Sequence, residues 1–387
     1  MEAQHAGFPV KWVSEGEARL LVPDVHEVKR SSIPFYNPVA SLNRDISLAV
    51  VSLLHEPRVA DVMTGVGARA IRYALIGAKV DANDLSPSSL SLLLKSAREN
   101  GVSENVMVQS SDARVFLAVN SSPNHRYDLV DLDPFGSPAP YIDAALSAVK
   151  VGGMLGFTAT DLATLCGRYP QAALEKYGSL TFRSEFCHEI AVRVLISYAF
   201  RRARVQGLFI DPLLSFYADH YVRVFVRVSM NRTADPSLAL GYVGYLFKSK
   251  VRKWGNDLME LLGRFKEGNG LPEVAGPLWL GELSSPDFVR RVADALKARE
   301  RMYQNPQRAI KLIHLLRDEL GHAPFYYTLP TLLRGRSPST ESVVGRLTEA
   351  GLSASATHFD GQGVRFDAGD EDPVSLLKGL LNPSQSR

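Results

Sequence analysis

The stretch Asp131-Leu132-Asp133-Pro134-Phe135-Gly136-Ser137-Pro138 concentrates side chains suited to one kind of reaction. An apolar run that ends in Asp, Pro, an aromatic residue and Gly can serve the exocyclic amino group of a nucleic-acid base. That amine is a poor nucleophile, because its lone pair is delocalised into the ring. A carboxylate (Asp133) and a backbone carbonyl (Pro134) that accept its two protons would hold the nitrogen in line with a methyl sulfonium. Pro134 fixes the chain so that its carbonyl can face a ligand. Phe135 can stack on a base that has left its own stack. A plain tight turn after a strand is the alternative, but a turn has no need of the aromatic ring.

The elements around this stretch predict how it is positioned. Apolar runs at 58–63, 78–83, 106–110, 127–133 and 153–158 read as strands, and the segments 68–76, 86–100, 112–119 and 140–149 between them read as helices. Such alternation implies a parallel sheet covered on both faces, with ligands bound beyond the carboxyl ends of the strands. Three further features fall at those ends. Gly65 and Gly67 follow the first strand, where missing side chains let backbone approach a ligand, although a plain strand-to-helix turn needs them equally. Asp84 follows the second strand and can accept ribose hydroxyls or serve as a loop or cap residue. Asp112-Ala113 follows the third and can meet an adenine amino group or cap a helix. A fuller Gly-x-Gly-x-x-Gly is absent, which leaves a nucleotide-binding oxidoreductase as a minor alternative.

A long helix over 185–204 and two β-like runs, 208–217 and 221–229, follow; their short connection predicts an antiparallel hairpin. Composition shifts at Asn231–Pro236, which predicts two domains, 1–230 and 231–387. In the second, 286–320 reads as helical with Arg290, Arg291, Lys297 and Arg299 on a basic face. Helix, turn and helix over 326–351, then a hairpin with strands at His358-Phe359 and Val364–Phe366, suggest a winged-helix-like module. The tail after Asn382 reads as disordered.

The 387 residues are 45% hydrophobic and 22% charged, an ordinary globular balance, and the net charge of +3 permits a nucleic-acid partner without requiring one. Two cysteines, Cys166 and Cys187, cannot build a disulfide framework, so a reducing compartment is expected. No apolar run reaches the roughly 18 residues of a membrane span, and Met1–Val10 lacks a signal pattern. The expected location is the cytoplasm.

Asp-Pro-Phe-Gly resembles the Asp/Asn-Pro-Pro-aromatic motif of amino-directed methyltransferases. With Phe35-Tyr36-Asn37-Pro38, Leu42-Asn43-Arg44-Asp45 and Gly276-Pro277-Leu278-Trp279-Leu280-Gly281, the chain from Lys29 to Asp367 resembles the tRNA guanine-26 N2-dimethyltransferase family. The resemblance implies a class I, Rossmann-like methyltransferase domain, S-adenosylmethionine as methyl donor and tRNA as partner. It implies cofactor contacts at Arg44, Arg69, Asp84, Asp112 and Ala113, beside the Gly65 and Gly67 turn. It also implies that Phe35 and Phe135 sandwich the guanine while Asp133 and the Pro134 carbonyl engage N2. Arg44 could grip a methionine carboxylate with two parallel bonds, and a surface ion pair is the alternative for either arginine. The paired cysteines that many relatives carry in the second domain are missing around Gly241–Gly244, so no metal is expected and packing must hold that loop.

Arg201-Arg202-Ala203-Arg204 and the basic face near Arg290 could track phosphates, or simply be solvated helix faces. Cys187-His188 could suggest a nucleophile pair, but neighbours on a helix point about 100° apart, and both read as structural. Two other functions remain compatible: an amino-directed methyltransferase for another base or RNA, and a tRNA-folding factor with a vestigial donor site.

Overall fold

The computed structural model describes residues 4–5, 8–24, 33–230, 239–265, 270–333, 338–369 and 371–381. The composition shift at Asn231–Pro236 and the tail after Asn382 lie outside them. Three short strands open the chain: β1 (Gln4–His5), β2 (Phe8–Glu15) and β3 (Ala18–Pro23), joined in the order β1-β2-β3. Gly16-Glu17 turns β2 into β3, with Gly16 in the left-handed region at φ 58°. The sequence reading did not anticipate this meander, nor the helix α1 (Ser41–Val51), whose residues are all buried.

The strand runs read from sequence form β4 (Arg58–Asp61), β5 (Lys79–Asn83), β6 (Val106–Gln109), β7 (Tyr127–Leu132) and β8 (Val149–Ala159), followed by β9 (Phe209–Ala218) and β10 (Tyr221–Ser229). They join one sheet in the order β6-β5-β4-β7-β8-β10-β9. The first five pair in parallel, and the two-residue link Asp219-His220 between adjacent β9 and β10 requires antiparallel pairing. From β4 the chain builds outward to β5 and β6, then returns to place β7 on the other side of β4. The β4/β7 boundary is therefore the switch point at which such sheets bind ligands. This is the predicted α/β sheet, five parallel strands followed by a hairpin at one edge.

The helices that fill the crossovers are α2 (Ala68–Leu75), α3 (Pro87–Glu99), α4 (Ala113–Val119) and α5 (Ile142–Ala148). α3 starts as its sequence requires: Ser86 accepts the Ser89 backbone N–H, and Pro87 occupies the first turn, where no N–H is needed.

Contacts divide the chain into two compact units. The first comprises 1–158, 225–230 and 287–313; the second comprises 159–224, 231–286 and 314–387. This grouping departs from a single cut at 230, because the chain passes between the units repeatedly. The predicted continuous helix over 286–320 is two helices, Pro286–Ala298 and Pro306–Asp318. Pro306 lacks the N–H that would carry the first helix through.

Within the second unit, α6 (Leu162–Leu165), α7 (Pro170–Tyr177) and the long α8 (Cys187–Val205) accompany two three-stranded sheets. One sheet consists of β11 (Leu240–Leu246) between β12 (Val251–Gly255) and β13 (Glu273–Trp279). A Cβ at Gly241 would lie 2.3 Å from the Gly255 carbonyl oxygen, and one at Gly244 would lie 2.6 Å from the Phe265 ring. Close packing therefore holds this region. The Gly276–Gly281 motif supplies carbonyls: Pro277 accepts from the Ser179 and Ser197 hydroxyls, while Trp279 and Gly281 accept from Arg193.

The other sheet of this unit has β16 (Gly363–Phe366) between β14 (Tyr327–Thr328) and β15 (Ala354–Ala356). The partner of β16 thus lies earlier than the predicted His358-Phe359. Thr357 and His358 are withdrawn from the ladder because Glu319 accepts from the Thr357 hydroxyl and the His358 backbone N–H. Glu319 also pairs with Arg365, and Arg365 reaches Glu189 on α8.

Gly16 supports a direct test of the meander. An alanine Cβ there would sit 2.1 Å from the Met302 carbonyl oxygen, besides straining the left-handed backbone. Gly16→Ala should lower the unfolding free energy by about 2 kcal/mol or more, read as a lower urea midpoint.

Candidate active site

Asp133 follows the last residue of β7, and its carboxylate Oδ2 accepts from Arg69 Nη2 at 2.5 Å and from Nε at 3.3 Å. Arg69 stands in the first turn of α2, directly after the Gly65–Gly67 loop, and is 5% exposed. Its Nη1 donates to the Ser47 hydroxyl at 2.8 Å and lies 3.9 Å from Asp131 Oδ2. Burial alone would weaken the guanidinium's hold on its proton, but Asp133 and Asp131 outweigh it and raise the pKa. A buried, permanently charged arginine thus fixes one edge of Asp133, while the aspartate side chain remains 31% exposed.

The parallel register sets Asp61 at the end of β4 against Asp131 on β7. Burial, then the neighbouring Asp131 charge, push Asp61 up to about 7, against the hydrogen bond from Thr64 and the charge of Arg69. Near neutrality the switch point therefore gathers three carboxyls around one guanidinium, with Asp61 close to half-protonated. That edge carries net negative charge and favours a cation placed beside it.

Gly65 and Gly67 both adopt positive φ, 56° and 85°. The Gly65 N–H donates to Asp84 Oδ2 at 2.9 Å, and the Ser86 N–H donates to Oδ1 at 2.9 Å. Asp84 is thereby aimed at the glycine turn, and each oxygen retains acceptor capacity for hydroxyl groups. Gly67 admits no side chain, since a Cβ would lie 2.5 Å from Leu93 Cγ. Asp112 caps α4 by accepting the Arg114 N–H at 2.9 Å and pairs with the Arg114 side chain at 3.2 Å. Ala113 is buried beside it.

Phe35 and Phe135 are brought together, but not as a sandwich. Their ring centroids lie 5.0 Å apart with the planes at 75°, edge to face, and the rings are 43% and 77% exposed. A base held between two faces needs about 7 Å, twice a stacking contact of about 3.5 Å. One ring must turn aside before both could cover a base. Gly136 adopts φ 76° after Phe135, and Pro134 is buried.

Arg44 occupies a different setting from the simple ligand clamp expected. Its Nε and Nη2 grip Glu15 at 2.7 and 2.6 Å, and Nη2 also donates to the Asn37 carbonyl at 2.9 Å. Glu15 further accepts from Arg72 Nη1 at 2.7 Å and from the Tyr36 hydroxyl at 2.9 Å. Burial would raise the Glu15 pKa, but Arg44 and Arg72 outweigh it and hold the carboxyl below its ordinary range. Arg72 continues to Asp45 at 2.5 Å, and Asp45 accepts from the Gln304 and Asn305 backbones. This buried chain fixes the Phe35–Pro38 approach and α1. The sequence reading missed Glu15 and Arg72; the signal available was the alternating Phe8–Glu15 run before a Gly turn.

The arginine runs are partly committed to structure. Arg201 donates to the Tyr177 carbonyl and to Ser179, Arg204 lies 3.9 Å over the Phe209 ring, and Arg290 pairs with Asp287 and Asp294. Among the described residues no helix is long and apolar enough to cross a membrane.

Two measurements probe these networks. Glu15→Ala leaves two buried arginines without their shared anion and should cost about 3–5 kcal/mol in urea unfolding. For Asp61, the folded protein holds its proton more tightly than the unfolded chain, whose pKa is near the ordinary 3.8. Its contribution is full below about pH 4 and is lost as pH rises to about 7, on the order of 4 kcal/mol in all. Asp61→Asn should flatten the urea midpoint across that window; an unchanged slope would contradict the assignment.

The N2,N2-dimethylguanosine tRNA methyltransferase family matches residues 16–378 of the chain. The tRNA (guanine(26)-N(2))-dimethyltransferase of Thermococcus kodakarensis is 36% identical over 381 residues, covering 92% of this chain and 96% of its own. Its counterpart in Pyrococcus abyssi is 34% identical, with 94% and 98% covered. The solved structure of Trm1 from Pyrococcus horikoshii with S-adenosyl-L-methionine superposes with a TM-score of 0.82 at 29% identity, covering 96% of this chain and 99% of that one. A match over nearly the whole chain, joined to a carboxylate site at the switch point of its sheet, makes this protein a member of the N2,N2-dimethylguanosine tRNA methyltransferase family.

Proposed function

We infer that this chain transfers two methyl groups from S-adenosylmethionine to the exocyclic N2 of guanosine 26 in tRNA, giving N2,N2-dimethylguanosine, with the cytoplasm as its setting. The observation that carries this reading is Asp133, half-exposed at the tip of β7 and pinned by buried Arg69 at the switch point. S-adenosylmethionine, when bound, supplies an electrophilic methyl group on a cationic sulfur. The residues present fit it: the acidic edge of Asp61, Asp131 and Asp133 favours that cation, and the glycine turn leaves backbone open beside Asp84.

In the proposed arrangement Asp84 accepts ribose hydroxyls, and Asp112 with Ala113 borders the adenine. The turn at Gly65 and Gly67 gives close approach, and Arg69 positions Asp133. Arg44 serves the donor end from its Glu15 anchor, as a positioning residue. Asp133 and the Pro134 carbonyl accept the N2 protons and orient the nitrogen lone pair, so that charge developing on it meets a fixed acceptor. Phe35 and Phe135 cover the flipped guanine once their edge-to-face contact opens. After the first transfer one proton remains on N2, so one of the two acceptors then faces a methyl group.

The test uses unmodified tRNA and labelled methyl donor, followed by digestion to nucleosides. Label should appear in N2-methylguanosine and then N2,N2-dimethylguanosine, and should vanish when guanosine 26 is replaced by adenosine. Label in N6-methyladenosine would sink the guanine assignment, and no label at all would favour a tRNA-folding role. Asp133→Asn keeps an acceptor for Arg69 but removes the charge. Its kcat should fall by about 100- to 1,000-fold with tRNA affinity nearly unchanged.

A further inference from the structure

Both cysteines of the chain lie in the second unit, far apart in sequence yet close in space. The donor atoms of Cys166, Cys187 and His188 all lie within 4.8 Å of one another, each residue partly accessible to solvent. We propose that these three side chains form a zinc-binding site, with two thiolates and one imidazole as ligands and the fourth position open to water.

Several independent features build the site. Cys166 ends α6, its N–H bonded to the Leu162 carbonyl at 2.7 Å. The next residue, Gly167, adopts φ 76°, and a Cβ there would lie 2.2 Å from the Phe182 backbone. Only glycine fits that turn, so the backbone that carries Cys166 is fixed there. Cys187 and His188 are the first two residues of α8. Neighbours in a helix interior diverge by about 100°, yet the Cys187 and His188 donor atoms lie within 4.8 Å of each other and of the Cys166 sulfur. The His188 ring is stacked on Tyr217 with centroids 3.8 Å apart and planes at 9°, which fixes its orientation.

The donor set selects the ion. Two soft sulfurs and one imidazole suit zinc and reject magnesium and calcium, which require oxygen ligands. Tetrahedral zinc, with Zn–S about 2.3 Å and Zn–N about 2.0 Å, places donors about 3.5–3.8 Å apart. Side-chain rotations that draw the donors, now within 4.8 Å, together by at most about 1.3 Å would complete it. Each bound zinc would displace two thiol protons to solvent. It would tie the turn after α6 to the start of α8, a clip separate from the region around Gly241–Gly244.

The experiment takes the full chain, stripped with chelator under reductant, and titrates it with cobalt(II) and then zinc. One equivalent of cobalt should produce thiolate-to-metal charge-transfer absorption, which zinc should abolish by displacement. Zinc should also slow alkylation of both cysteines in the wild-type protein. Cys166→Ser, Cys187→Ser and His188→Ala should each weaken zinc binding beyond the roughly 10–100-fold that loss of an outer-shell partner costs. His220→Ala, at the β9–β10 turn, should leave binding unchanged. Absence of the charge-transfer band, unprotected thiols in the wild type, or binding that survives all three ligand variants would overturn the proposal. The alkylation assay needs no variant, so misfolding of a serine mutant cannot rescue or defeat it.

Discussion

A guanidinium that cannot lose its proton, placed where water cannot reach it, sets the terms for the first unit. Arg69 is committed on every side: to Asp133 beyond β7, to Asp131 within it and to Ser47 on α1. Removing a charge from water is costly unless its partners are well placed. The loop after β4, the tip of β7 and the preceding helix must therefore take up a mutual arrangement that satisfies it. Asp133 inherits its position from that requirement. The second buried cluster, Glu15 with Arg44 and Arg72, does the same for the segment carrying Phe35.

The second unit follows the same principle with different residues. Glu189 sits fully buried on α8 between Arg193 and Arg365. Burial would raise its pKa, but the two guanidiniums outweigh it and hold the carboxyl at about 2. Glu319 extends this pairing toward the C-terminal sheet, and the Pro277, Trp279 and Gly281 carbonyls close it from the other side. The motif from Gly276 to Gly281, whose spacing helped to identify the family, thus works here as a set of acceptors for α8 and its surroundings.

What could be read from the sequence was whatever a strand end dictates locally. Asp84, Asp112, Asp133 and the glycine pair each follow an apolar run, and the crossover rules bring such positions to one edge. The alternation of elements gave the sheet for the same reason. Contacts across sequence distance were not legible. Arg44 meets Glu15 across 29 positions and Arg72 meets it across 57, and nothing in either helix marks its arginine as buried. The raised pKa of Asp61 depends on its register against Asp131, which no single strand reveals. The approach of Cys166 to Cys187 and His188, across 21 positions, was likewise not legible.

The edge-to-face contact of Phe35 with Phe135 gives the site a resting state of its own. The edge of one ring covers part of the other's face, while much of Phe135 stays open to solvent. An aromatic pair of this kind is worth about 0.5–1.5 kcal/mol, whereas stacking on a base returns about 1–3 kcal/mol. If the two rings cover the base as proposed, the two energies are of the same order, and opening the pair takes back a sizeable part of what stacking returns.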